Sequence, residues 1–389
     1  MRKIVGMTAA LLLAVAGVAQ AAPEAGAELG PSAGGISSDN VEFIRNVPIS
    51  IDGVGGRVIG NYFYTNDQNK VMIFDIKDPE NPQMTGFVPM PQEVLYSRED
   101  LDGNGDILVV PNTVIPNEEE RETPRLIGAT YIIDVEDKTN PTVIAKLPAS
   151  AQHTMSCILD CKWAYGSNGN IIDLRNPAKP KLMEKKWGEG LPAQAGHDVN
   201  EVAPGLVLTS TQPIMLLDVR NPLQPKMLAK GFNIDGRFIH SNDWPRAGKD
   251  KFFLAGGETN NQVRCNERNG ALMTWDASKW RKTETFTMID EYRMVNGTYV
   301  DGSPAVNAVG CSSHWLEAHP DFRNGGIVAA AFFEHGTRFV DISPKGEIKE
   351  VGWFMPHGGS TGASYWITDE IVYSVDYTRG IDILRFTGE

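Results

Sequence analysis

The chain has 389 residues, 41% of them hydrophobic, enough to bury a large core as one closed domain. It carries 49 Asp and Glu against 36 Lys and Arg, a formal net charge of −13 with no basic run to offset it. That balance argues against nucleic acid and against anionic lipid surfaces as partners.

The N-terminus reads as a processing segment. Arg2 and Lys3 supply positive charge, Ile4 to Val18 is apolar but short for a bilayer span, and Ala19-Gln20-Ala21 is an A-x-A cleavage site. Residues 1–21 are therefore expected to be a signal peptide cleaved near Ala21, and the mature chain to be periplasmic or secreted, with no membrane span. Loss of Arg2 and Lys3 takes the formal charge from −13 to −15. Residues 22–38, rich in Ala, Gly, Pro and Ser, read as a flexible leader, and 39–389 as the folded domain.

From there one phrase recurs: a short apolar run that ends in Asp and is soon followed by Pro. It appears as Val71-Met72-Ile73-Phe74-Asp75 before Asp78-Pro79, and as Tyr131-Ile132-Ile133-Asp134 before Asn140-Pro141. It returns as Asn170-Ile171-Ile172-Asp173 before Asn176-Pro177, and as Ile214-Met215-Leu216-Leu217-Asp218 before Asn221-Pro222. Looser copies are Leu272 to Asp276 and Arg338 to Asp341, and in Ile381 to Arg385 an Arg takes the Asp slot. A buried strand closed by a Pro turn, repeated with this period, is the signature of propeller blades.

The phrase resembles the LVIVD repeat, a bacterial propeller family named for its Leu-Val-Ile-Val-Asp run. The resemblance implies a fold and no particular reaction. Seven copies predict an all-β, seven-bladed β-propeller. Val41 to Pro48 is strand-like and stands outside the first unit, while the chain ends on Ile381 to Phe386 without an outer strand. The N-terminal strand is thus expected to complete the last blade and close the ring.

In the fourth unit four strands can be read: His197 to Val202, Leu206 to Ser210, Ile214 to Val219 and Lys226 to Lys230. Alternating strand direction puts the start of each inner strand on the same face as the turn between second and third strands. That face, the top, also receives the insertions Pro111 to Gly128, Gly256 to Gly270 and Glu291 to Ser313. Elaborated loops on one face of a repeat protein are where binding is usually found. The four cysteines suit an exported chain: Cys157 and Cys161 can cross one hairpin turn, leaving Cys265 and Cys311, both on top loops, to pair with each other.

Histidines give the sharpest chemical signal. His153, His197, His240 and His314 each stand where an inner strand begins, in four consecutive units, so they should converge on the top mouth of the central channel. His357 precedes the last unit, and Glu334-His335 lies in a top turn. Several neutral imidazoles around a narrow cavity suit Cu, Fe or Zn, with Glu334 as the catalytic acid, base or orienting carboxylate and Asp198 as another. The alternative is that these side chains are hydrogen-bonding plugs, duplicated along with the repeat.

A second candidate is Asp100-Leu101-Asp102-Gly103-Asn104-Gly105-Asp106, which has oxygen ligands for Ca at Asp100, Asp102, Asn104 and Asp106. Pro111 stands where a bidentate Glu would be needed, and an Asp/Asn/Gly hairpin accounts for the same composition. Gly358 to Gly362 matches G-x-S-x-G without the strand–turn–helix context a hydrolase elbow requires. Arg338 and Arg379 could bind an anion or pair with neighbouring carboxylates, and Trp244, Trp315 and Trp366 read as packing between blades. Two functions remain open on this basis. One is an exported propeller with a His-rich metal or small-ligand site, acting as a metal-dependent oxidoreductase or hydrolase. The other is a non-catalytic scaffold whose top loops bind an envelope protein or glycan.

Overall fold

In five of the copies the Asp that ends the apolar run caps the turn that follows it. In the computed structural model the carboxylates of Asp75, Asp134, Asp173, Asp218 and Asp276 each accept the backbone N–H two residues on. This bond stops the strand and starts the Pro-bearing turn, which is why Asp recurs at that point. Arg385, in the Asp slot of the last copy, instead pairs with Glu42 and Glu80. The structure describes residues 34–49, 54–90, 99–112, 129–148, 153–232, 238–258, 270–294 and 312–388.

Seven antiparallel sheets result, one per repeat. Blade four shows the pattern, with strands Val199–Ala203, Leu206–Thr209, Ile214–Asp218 and Lys226–Gly231. Blade seven has Thr361–Trp366, Ile371–Asp376 and Gly380–Phe386, and its fourth strand is Val41–Val47, paired antiparallel with Gly380–Phe386. The ring is thereby closed by the N-terminal strand, as its sequence implies. One extra strand was not legible: Gly35–Ser37, inside the segment read as a flexible leader, pairs with Phe354 to Pro356 as a fifth strand of blade six.

Each sheet is covered on both faces, which explains why the third strands are continuous apolar runs. The buried side chains form seven clusters, each spanning two neighbouring blades. Between blades four and five, for instance, Phe253 lies stacked on Trp275 with ring centroids 5.9 Å apart, and Trp244 and Phe286 pack against the same ring. Trp244 and Trp366 are thus interblade packing, as expected. Among the described residues no helix is long and apolar enough to cross a membrane.

Cys157 and Cys161 are joined across the turn that links the first two strands of blade three. Leu159, Asp160 and Cys161 all adopt left-handed backbone there, an uncommon state for residues other than Gly. Cys265 and Cys311 lie outside the described residues, as do the segment expected to be a signal peptide, the acidic run 118–122 and most of the top insertions.

Candidate metal centre at the top of the channel

The inner strands start in a common register, and this decides which side chains meet at the axis. Asp102↔Val109, Ser156↔Tyr165, Asn200↔Leu208, Asp243↔Leu254 and Glu317↔Ala329 are equivalent pairs in blades two to six. Three residues ahead of each first partner stand Glu99, His153, His197, His240 and His314. Five consecutive blades therefore deliver one carboxylate and four imidazoles to the same level of the channel.

Glu99 is the hub. Its Oε1 meets His240 Nε2 at 2.7 Å and His314 Nε2 at 2.9 Å, while Oε2 contacts His153 Nε2 and lies 3.6 Å from His197 Nε2. The Trp315 indole N–H donates to Oε1 at 3.2 Å. Neighbouring imidazoles crowd together, with centroids 3.8 Å apart for His197 and His240 and 3.9 Å for His240 and His314. Glu258, at the start of the second-to-third turn of blade five, places Oε2 3.9 Å from His240 Nε2. Gly55 makes room for the hub: a Cβ there would lie 2.1 Å from the Glu99 carbonyl oxygen.

Electrostatics tie the group together. Burial alone would raise the Glu99 carboxyl, but the four imidazoles outweigh it and hold it well below the usual carboxylate range. For His153 and His314 burial opposes the charged form, and the Glu99 carboxylate overrides it and raises both. His240 is pushed well down, by burial first and then by His197 and His314. The His314 Nδ1 lies 2.5 Å from the Gly362 carbonyl, which fixes that ring with Nε2 toward Glu99. Both ring nitrogens of His197, and Nδ1 of His240, are buried with no hydrogen-bond partner among the described residues. A buried imidazole left this way costs free energy that a bound cation would recover.

The other sequence candidates fall elsewhere. His335 is buried in the top turn of blade six, its pKa pushed down to about 4 by burial and by Arg338, and His357 is exposed. Neither they nor Glu334 belong to any group of His, Asp and Glu donors close enough to share an ion among the described residues. The carboxylate of the centre is Glu99, which leads into blade two, whereas Glu334 stands in blade six. The calcium reading lacks converging oxygens. Asp102 is taken by Arg57 and by the N–H groups of Gly103 and Cys157, and Asn104 Oδ1 caps the N–H groups of Asp106 and Ile107. Asp100 is buried, its carboxyl raised well above the usual range by burial despite Arg57. Gly358 to Gly362 leads into a strand with no helix after it, Arg338 faces Glu350 at 3.5 Å, and Arg379 pairs with Asp382 at 2.9 Å.

Glu99 shares the register of the four histidines but not their residue type, so the histidine pattern alone does not mark it. Its signal was present: Glu99 precedes Asp100-Leu101 as His197 precedes Asp198-Val199.

Comparison with known proteins bears on the fold alone. The LVIVD repeat family model matches residues 57–89, the first blade. No curated protein sequence is significantly similar to the chain. A crystal structure of Chaetomium thermophilum Raptor is similar at a TM-score of 0.53 and 12% identity, over 89% of this chain and 29% of that one. The chain thus spans under a third of that structure's length, and the likeness is one of fold. The chain thus carries a matched LVIVD repeat in blade one of a seven-bladed β-propeller.

Proposed function

We propose that this propeller binds transition metal at the top mouth of its channel and uses it in the oxidation or hydrolysis of a small molecule. The observation that carries the reading is the convergence of four imidazoles on one buried carboxylate from five blades. Imidazole nitrogen with carboxylate oxygen is a donor set for Zn, Cu or Fe. Such an ion supplies Lewis acidity or redox capacity; the protein supplies orientation and a dry wall. Side-chain exposure is 31% for His153 but only 8%, 0% and 1% for His197, His240 and His314. A small molecule therefore approaches on the His153 side, where Phe238, 47% exposed, stands edge-on to the His197 ring. The N-terminal segment and the Cys157–Cys161 bridge support action outside the reducing cytosol.

The test is metal analysis of protein secreted or exported from its host, followed by loading of the stripped chain with Zn(II), Cu(II) or Fe(II). Retention of at least one stoichiometric ion, with uptake reduced in His240→Ala, is the expected result. A folded chain that neither carries nor takes up any of the three overturns the reading and leaves the scaffold alternative.

A further inference from the structure

The donors are not arranged for a single ion. Among the described residues the atoms lying within 4.8 Å of one another fall into three sets: Glu99 with His240 and His314, Glu99 with His153 and His197, and Glu258 with His197 and His240. None holds more than two histidines. An ion with bonds of about 2.1 Å spans at most roughly 4.2 Å between donors, so no single position serves all four imidazoles. The two Glu99 oxygens divide them instead, Oε1 facing His240 and His314, Oε2 facing His153 and His197.

The backbone repeats this division. Thr154, which follows His153, donates its hydroxyl to the His197 carbonyl. Ser241, which follows His240, donates its hydroxyl to the His314 carbonyl. The same clamp thus joins the two histidine-bearing strands within each pair, blades three and four on one side and blades five and six on the other. Between the pairs the following residue is Asp198, whose carboxylate accepts from Asn242. Glu258 faces His197 and His240, one member of each pair, so a second carboxylate straddles the division.

We propose that the centre is dinuclear: one ion on His153 and His197, a second on His240 and His314, with Glu99 bridging the two through its separate oxygens and Glu258 as a second carboxylate between them. This deepens the metal reading above and rests on it. Across a tetrahedral ion, donor atoms sit roughly 3.3 Å apart. The 2.7 and 2.9 Å contacts of His240 and His314 with Oε1 therefore open by about half an ångström on loading, within reach of side-chain rotation. Two ions held by one carboxylate can orient a nucleophile on one and polarise a substrate oxygen with the other.

The experiment is titration of the stripped full chain with Zn(II), counted by elemental analysis after gel filtration. Two equivalents per chain are expected. His153→Ala, the substitution at the most exposed ligand, should keep the circular dichroism spectrum and bind one equivalent, as should His314→Ala. The Cu(II)-loaded wild type should show a low-temperature electron paramagnetic resonance signal well below that of two isolated ions, because a carboxylate bridge couples them. One equivalent in the wild type, or two in which the copper signals are independent, overturns the dinuclear centre and leaves the metal reading standing. No bound zinc, copper or iron overturns both.

Discussion

Glu317 offers the cleanest test of the electrostatics below the histidine ring. It lies on the inner strand of blade six, where Oε2 accepts the Trp366 N–H at 2.6 Å. Burial, seconded by Asp243, pushes its pKa from the ordinary 4.5 up to about 8. The folded state therefore holds the proton more tightly than the unfolded chain. The associated stability is fully present below 4.5 and is lost as pH rises through 8. At about 1.4 kcal/mol per pH unit, the loss between pH 5 and pH 9 is about 4 kcal/mol. The residue is only half-buried, so that figure is a ceiling. Glu317→Gln keeps an acceptor for Trp366 and removes the titration. Denaturant unfolding from pH 5 to pH 9 should then show wild type and variant nearly equal at pH 5, with the variant more stable by a few kcal/mol at pH 9. Parallel stability curves for the two proteins would refute the reasoning.

Arg57 is the cation among Asp100, Asp102 and Asp198, and Arg57→Met should cost about 2 kcal/mol at pH 8 and less at pH 5, where Asp100 and Asp198, both raised by burial, take up protons; thermal unfolding at the two pH values checks this. Phe253→Ala, at a fully buried ring between blades four and five, should cost about 4 kcal/mol by denaturant unfolding without changing metal stoichiometry. Removing Cys157–Cys161 by double substitution to Ala should cost about 2 kcal/mol, since the bridge closes only a short loop. Deletion of the N-terminus through Val47 strips the edge of blade seven and should give aggregated or unfolded protein by gel filtration.

The sequence by itself determined the wheel. An apolar run ended by Asp and Pro is a local instruction: the run is buried on both faces, and the Asp caps its own turn through an N–H two residues on. Seven such instructions and an orphan strand at the start leave little choice of architecture, and the four inner-strand histidines followed from the same count. What only the tertiary structure decided is their partner and their grouping. Glu99 lacks the residue type that drew attention to the other four positions, yet register places it at the same level of the channel. Glu334, also on the top face, points to no shared ion. The division of the imidazoles into pairs depends on which carboxylate oxygen each one faces and on hydroxyl bonds between strands more than forty residues apart. Spacing along a chain carries the period of a repeat, but distances across a closed ring are set by how its blades pack.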